Sequence, residues 1–374
     1  MGILLNIAKF TLSLIYFVIK IFPTRNKVVF LSRQSDKPSI DFKFLAKELQ
    51  KQNKDLKVVM LTKRIGNGSL GKLEYAFHMW KQMYHVATSK VAIIDGYQIV
   101  ISVLKHKKKL KVIQIWHALG CLKKFGYSIA DKAEGSKKEI IQKMNMHKNY
   151  DVVLASSMIA RKNFAEAFNV SKGRIEIIGL PRIDFLKSEE CREKTVSHIL
   201  AHYPNLNNGK KQIVYVPTFR ITAGNNVNVV DIVEKLDYSK YNLIVKLHHD
   251  KELVYIDSKD NVMCGNIATG MEFLHLADYV ITDYSAISFE ALIARKPVYF
   301  YVYDFAKYKK NRDMYIDFKK EMPGIISEKP EEILNGIYED IRDEKKEDKF
   351  LTKYVSVYNQ NNTEKLAKYI SKWL

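Results

Sequence analysis

Short runs of β-branched and other apolar residues recur along this chain at intervals long enough to hold a helix, and that alternation limits the fold more than any single motif. Val28–Leu31, Val58–Leu61, Val91–Ile94, Lys111–Trp116, Val152–Ala155 and Ile175–Ile178 form one series. Runs that are apolar nearly throughout, joined by crossover-length stretches, are what strands of a parallel sheet covered on both faces look like. A charged, helical stretch near Asp184–Lys210 follows, and the pattern restarts with Ile213–Val216, Leu243–Val245, Val280–Thr282 and Val298–Tyr301, ending in a helical tail from Lys329 to Leu374. At 374 residues the chain has material for two domains, because domains cluster near ~100–150 residues. The pattern predicts an α/β protein of two doubly wound halves, residues 25–190 and 191–374, preceded by a helix over residues 1–24. In such halves ligands meet the loops just after the strands.

The leading segment, residues 3–22, is long enough to span a bilayer, which takes ~20 apolar residues. Its polar positions argue for a different use. Gly2, Asn6, Lys9, Ser13, Tyr16 and Lys20 recur every three or four residues and share one helical stripe; Phe10, Phe17 and most other residues are apolar. A helix of this kind is expected to lie in the membrane interface, with Lys9 and Lys20 at headgroup level and Phe10 and Phe17 in the apolar layer. No small-residue cleavage site follows, so it does not read as a secretory signal.

The charge balance fits the same surface. Lys and Arg number 61 against 41 Asp and Glu, a net charge of +20, which favours a polyanionic partner such as anionic lipid or a phosphorylated substrate. The excess is local: Lys105–Lys148 holds twelve lysines and three acids. Aromatic and basic residues do not interleave as in single-strand nucleic-acid binders, so no nucleic-acid partner is expected. Cys121, Cys191 and Cys264 have no metal-ligand or redox spacing.

Four segments at strand ends share a chemical theme. In QIWHALGCLKKFG, residues 114–126, His117 stands where a strand ends, and an imidazole there can act as a general base near neutral pH. In VYVPTFR, residues 214–220, Thr218 and Arg220 follow a strand, and a guanidinium fits phosphate oxygens. In LIVKLHHD, residues 243–250, Lys246 and His248 alternate on one side of an extended segment and would meet one ligand together. In YVITDYSAISFEALIARKPVYF, residues 279–300, Asp283 ends a strand, and Ser285 and Ser288 lie where a helix begins. The first N–H groups of a helix attract anions, and the same residues can cap it. No P-loop, HExxH, GxGxxG or metal-demanding acidic cluster is present, so neither metal nor cofactor is expected. What remains is transfer chemistry at phosphate.

These segments, with YDVVLASS at 150–157, GLPRIDF at 179–185 and FYVYDFAKYKKNRDMYIDF at 300–318, resemble the CDP-glycerol glycerophosphotransferase family of teichoic acid synthesis. The resemblance implies two Rossmann-like domains facing across a cleft in the GT-B arrangement, with peripheral attachment to the cytoplasmic face of the membrane. It also implies transfer of glycerol phosphate from CDP-glycerol, or ribitol phosphate from CDP-ribitol, to an undecaprenyl-linked acceptor, and it is compatible with a homo-oligomer. By position, His117 and His248 match the family's catalytic histidines. Arg220, Lys246, Asp283, Tyr284 and Ser285 match positions around the donor, Arg312 a late donor-side arginine, and Thr218, Ser288 and Arg182 join the expected substrate contacts. Ala118 after the histidine is similar to the primase branch, whereas His249, Ala286 and Asp313 depart from the family's usual Pro, Ser and Gly. Two rivals share the features: a nucleotide-sugar glycosyltransferase, which UDP-sugars would protect against heat, and a membrane scaffold that binds no nucleotide.

Overall fold

The structure, a computed structural model, describes residues 2–66, 68–218, 227–247, 262–264 and 267–374. The chain forms two compact units, one of residues 1–117, 125–182 and 359–374, the other of 118–124 and 183–358.

The first unit is built on six parallel strands: β1 (Lys27–Ser32), β2 (Lys57–Thr62), β3 (Val91–Ile94), β4 (Lys111–Gln114), β5 (Val152–Ala155) and β6 (Ile175–Ile177), in the order β2-β1-β3-β4-β5-β6. Val28–Leu31 and Val91–Ile94 are wholly buried, as strands covered on both faces must be. The order reverses between β1 and β3, which places a topological switch point at their carboxyl ends. Strand β4 stops at Gln114, two residues before the sequence pattern suggested, because Trp116 takes a left-handed φ of 61° and turns the chain out of the sheet.

Helix α1 (Gly2–Ile19) and helix α3 (Gly68–Ala87) pack on each other, and α2 (Ile40–Gln52) starts at Ser39, whose hydroxyl accepts from Phe42 N at 3.3 Å. Among the described residues no helix is long and apolar enough to cross a membrane. The two lysines expected at headgroup level also reach loop carbonyls of the same unit. Lys9 Nζ donates to the carbonyl of Lys143 at 2.6 Å, Lys20 Nζ to that of Lys105 at 3.1 Å, and the Tyr16 hydroxyl meets His106 Nδ1 at 2.8 Å. The polar stripe satisfies the unit's own loops, since carbonyls covered by a helix need donors, and Phe10, Leu14 and Phe17 face out. The last helix, Asn362–Ser371, lies on α2; Asn362 Oδ1 accepts from Gly179 N at 3.1 Å, and Leu366, Ala367 and Ile370 are buried.

The second unit repeats the scheme with β7 (Lys211–Val216), β8 (Tyr241–Val245), β9 (Val262–Cys264), β10 (Tyr279–Thr282), β11 (Val298–Tyr301) and β12 (Ile326–Ser327), all parallel, in the order β12-β11-β10-β7-β8-β9. This is the strand order of dinucleotide-binding folds, with its switch point between β7 and β10. The buried tyrosines Tyr215, Tyr299 and Tyr301 pack with Ile232, Leu243, Ile333 and Ile337 over one face.

Candidate active site

His117 sits three residues past β4, at the carboxyl edge of the first sheet. Its Nδ1 lies 2.8 Å from the backbone oxygen of Asp95, which ends the loop side of β3. A carbonyl can only accept, so Nδ1 carries the proton and the neutral ring's lone pair is on Nε2, the form required of a base. The Trp116 ring lies 4.1 Å from the imidazole and is stacked on Phe125 at 4.5 Å, and Gln114 ties the two loops by donating to Gly96 O at 3.1 Å and accepting from Trp116 N at 2.9 Å.

Arg182, expected among the substrate contacts, is instead sealed inside this unit at 8% exposure. Its Nε donates to Asp41 Oδ2 at 2.9 Å, its backbone N to Asp41 Oδ1 at 2.8 Å, and its Nη2 pairs with the same carboxylate. Nη1 reaches the carbonyl of His117 at 2.9 Å. Arg182 is therefore a positioning residue: it holds the main chain that carries the imidazole. Behind them Asp95 is 3% exposed, and burial pushes its carboxyl up to about 7, with Asp41 adding to the rise while Ser32 and Arg182 oppose it. Asp41 and Asp95 carry no motif, and nothing in the local sequence marks them.

In the second unit the expected residues gather at the switch point. Asp283, just past β10, accepts from Thr218 N at 2.9 Å and from the Thr218 hydroxyl, joining the loops after β7 and β10. Lys246, one residue past β8, is 6% exposed; burial lowers its pKa and Glu272 partly opposes that. Ser285 is half-buried, and its oxygen accepts from Ile287 N at 3.4 Å at the start of the helix Ile287–Ile293. Tyr284 and Ser288 are fully buried. The Tyr284 hydroxyl donates to Asp304 Oδ1 at 3.1 Å with its ring stacked 4.0 Å from Tyr308, and the Ser288 hydroxyl donates to Ser285 O at 2.9 Å. Asp283, Tyr284 and Ser288 thus tie these loops together, and Arg312 is half-buried. Arg220 and His248 lie outside the described residues.

The segment after His117 belongs to this second unit. Gly120 adopts a φ of 60°, and a Cβ there would stand 2.6 Å from the Phe289 ring. Lys124 N donates to Asp313 O at 3.0 Å and its Nζ to Asp313 Oδ2 at 2.7 Å. That pair gives Asp313 a structural role in this unit. Among the described residues no group of His, Cys, Asp and Glu could hold a metal.

Residues 14–372 match the family described as CDP-Glycerol:Poly(glycerophosphate) glycerophosphotransferase. The chain belongs to that family. A teichoic acid ribitol-phosphate primase of Bacillus spizizenii is 30% identical over 358 residues, 93% of this chain and 92% of the relative. A teichoic acid glycerol-phosphate primase of Bacillus subtilis is 32% identical over 267 residues, 70% and 68% of the two chains. The wall teichoic acid polymerase TagF has the same fold, with a TM-score of 0.78 at 21% identity over 98% of this chain and 94% of the other. This glycerophosphotransferase family member is thus an enzyme of teichoic acid synthesis, transferring a polyol phosphate from a CDP-linked glycerol or ribitol donor.

Proposed function

We propose that this enzyme is a primase: it adds one polyol phosphate to an undecaprenyl-pyrophosphoryl disaccharide at the cytoplasmic face of the membrane and releases CMP. The observation that carries the mechanism is the clamp on His117, whose Nδ1 proton is held by the Asp95 carbonyl. Nε2 takes the proton of the acceptor hydroxyl, the hydroxyl oxygen bonds to the phosphorus that bears the polyol, and the bond from that phosphorus to CMP breaks. Lys246, with Arg220 and His248, neutralises charge on the donor phosphates, the contribution on which phosphoryl transfer chiefly depends.

Glycerol is the donor polyol expected from the sequence. Ribitol is a second reading, favoured by one observation: the relative that matches nearly end to end carries the name of a ribitol-phosphate primase. Attachment to the bilayer rests on the outward face of the first unit. Phe10, Leu14 and Phe17 on α1 are joined there by Leu70, Leu73, Phe77 and Trp80, an exposed stripe along α3 at spacings of three and four. Two packed helices with apolar outer faces and a lysine-rich loop at Lys105–Lys109 fit insertion at the level of anionic headgroups.

The test is CMP release from CDP-glycerol and CDP-ribitol, with the unprimed lipid-linked disaccharide and its glycerol-phosphate-primed form as acceptors. Release on the unprimed disaccharide is expected; release only on the primed form would move the enzyme to a later step. His117→Ala should keep donor binding while turnover falls by about 10²–10⁴, and normal turnover in that variant would remove His117 from the chemistry.

A further inference from the structure

The first unit has its own switch point, between β1 and β3, and a cation stands on it. Arg33 is the first residue past β1, and its Nη1 reaches the carbonyl of Tyr97, three residues past β3, at 3.3 Å. The guanidinium carbon lies 5.5 Å from the centre of the Tyr97 ring. Arg33 is half-buried, and its Nε, inaccessible to solvent, has no hydrogen-bond partner. Among the described residues no carboxylate pairs with it. A half-buried guanidinium with no carboxylate beside it favours an anion at its open edge, and arginine's forked donors suit phosphate.

Its surroundings bring it close to the imidazole. Gly96 follows Asp95 directly, and a Cβ there would stand 2.9 Å from Gln34 Nε2 and 3.9 Å from His117 Nδ1, so Arg33, Gln34 and the imidazole adjoin one small patch of backbone. Helix α3 supplies the wall. Tyr75, His78 and Gln82 form its inner stripe; the Tyr75 hydroxyl and Gln82 amide lie side by side, and buried His78 Nε2 has no hydrogen-bond partner. The opposite stripe, Leu73, Phe77 and Trp80, is the exposed apolar one. At 100° per residue the two stripes lie on opposite sides of the helix.

We infer that Arg33, at the switch point of the first sheet, binds the phosphate that links the acceptor's sugar to its lipid. This rests on the reading of the chain as a transferase to a lipid-linked acceptor and names the subsite where that acceptor is held. The arrangement fits a molecule that is apolar at one end and phosphorylated beside the reacting sugar: the lipid follows the outer stripe of α3, the phosphate meets Arg33, and the hydroxyl reaches His117. No bond is made or broken at Arg33, so its effect is on acceptor affinity.

Bilayer headgroups carry the same phosphate chemistry, and the test separates the two sources. Steady-state kinetics with a soluble, short-chain lipid pyrophosphoryl disaccharide should show Arg33→Gln raising the acceptor KM about ten- to hundredfold. The donor KM should stay put and kcat change little, with partial recovery in Arg33→Lys. A phosphate-free glycoside of the same disaccharide should not distinguish wild type from variant. Calorimetric binding of the short-chain acceptor, measured without donor, should weaken by the same factor, so that a wild type silent in turnover would refute the transferase reading while Arg33 is still judged by binding. Equal acceptor affinity in wild type and Arg33→Gln would overturn the inference. So would loss of binding to phosphatidylglycerol vesicles with an unchanged acceptor KM, which would assign Arg33 to headgroups.

Discussion

The Asp41–Arg182 pair permits a prediction in which stability and catalysis come apart. Asp41→Asn keeps the volume and removes the charge. The side chains are 2% and 10% exposed, so the guanidinium would stay buried beside a neutral amide. An asparagine amide can accept from Arg182 N or from the guanidinium with its single oxygen, and turns N–H donors toward the other. Breaking a buried pair from one side costs about 3–5 kcal/mol, and with donors set against donors we expect about 4 kcal/mol. Trp80, Trp116 and Trp373 are the chain's three tryptophans, and all belong to the first unit. Tryptophan fluorescence in guanidinium chloride therefore follows this unit alone, and the midpoint should fall by about 1 M, given denaturant slopes of about 2–6 kcal/mol per M. The double variant Asp41→Leu, Arg182→Met removes both charges and should recover most of the stability, since apolar replacements of buried pairs are often neutral. Its turnover should nevertheless stay at least about tenfold low, because the carbonyl of His117 has lost its anchor and misplacement of a reacting group by 1 Å can cost about 10²-fold. A single variant within about 1 kcal/mol of wild type, or a double variant with full activity, would refute the positioning role.

Two further outcomes follow from described groups. Asp95 has a folded pKa of about 7 against an ordinary 3.8, so between those values the folded state binds a proton that the unfolded state does not, and stability falls as pH rises through this window and then levels off. Asp95→Asn lacks the titration; its stability relative to wild type, followed by tryptophan fluorescence, should grow from pH 4 to 7 by at most about 4 kcal/mol, and a pH-independent difference would contradict the burial of the charge. Phe17→Asp, on the outer face of α1 at 66% exposure, should weaken cosedimentation with lipid vesicles by about tenfold or more while leaving the fluorescence-monitored unfolding unchanged; undiminished sedimentation would remove this face from the membrane.

The alternation of apolar runs made ten of the twelve strands among the described residues legible, because strands covered on both faces must be apolar at nearly every position. The two missed, β9 and β12, are edge strands of three and two residues, too short for any period. The position of His117 just after a strand was legible. The role of Arg182 was not, since its partner Asp41 lies 141 residues away and a buried ion pair leaves no local pattern. The same holds for the lysines of α1. A periodic polar stripe shows which residues share a face and not whether that face meets water or protein, and here Lys9 and Lys20 reach loop carbonyls of their own unit. Arg33 follows the first strand visibly enough, but only the order β2-β1-β3 shows that the strand borders a switch point.

The return of Asn362–Ser371 to α2 also has a bearing on how the protein is made. On an emerging chain, residues 183–358 are available before the residues that complete the first unit, so the second unit can close while the first, though translated earlier, still lacks the helix that packs on α2. Synthesis order and folding order are thereby inverted. A ribosome that stalls or a protease that clips within residues 359–374 would damage the unit that carries His117, and leave intact the unit nearest the break in sequence.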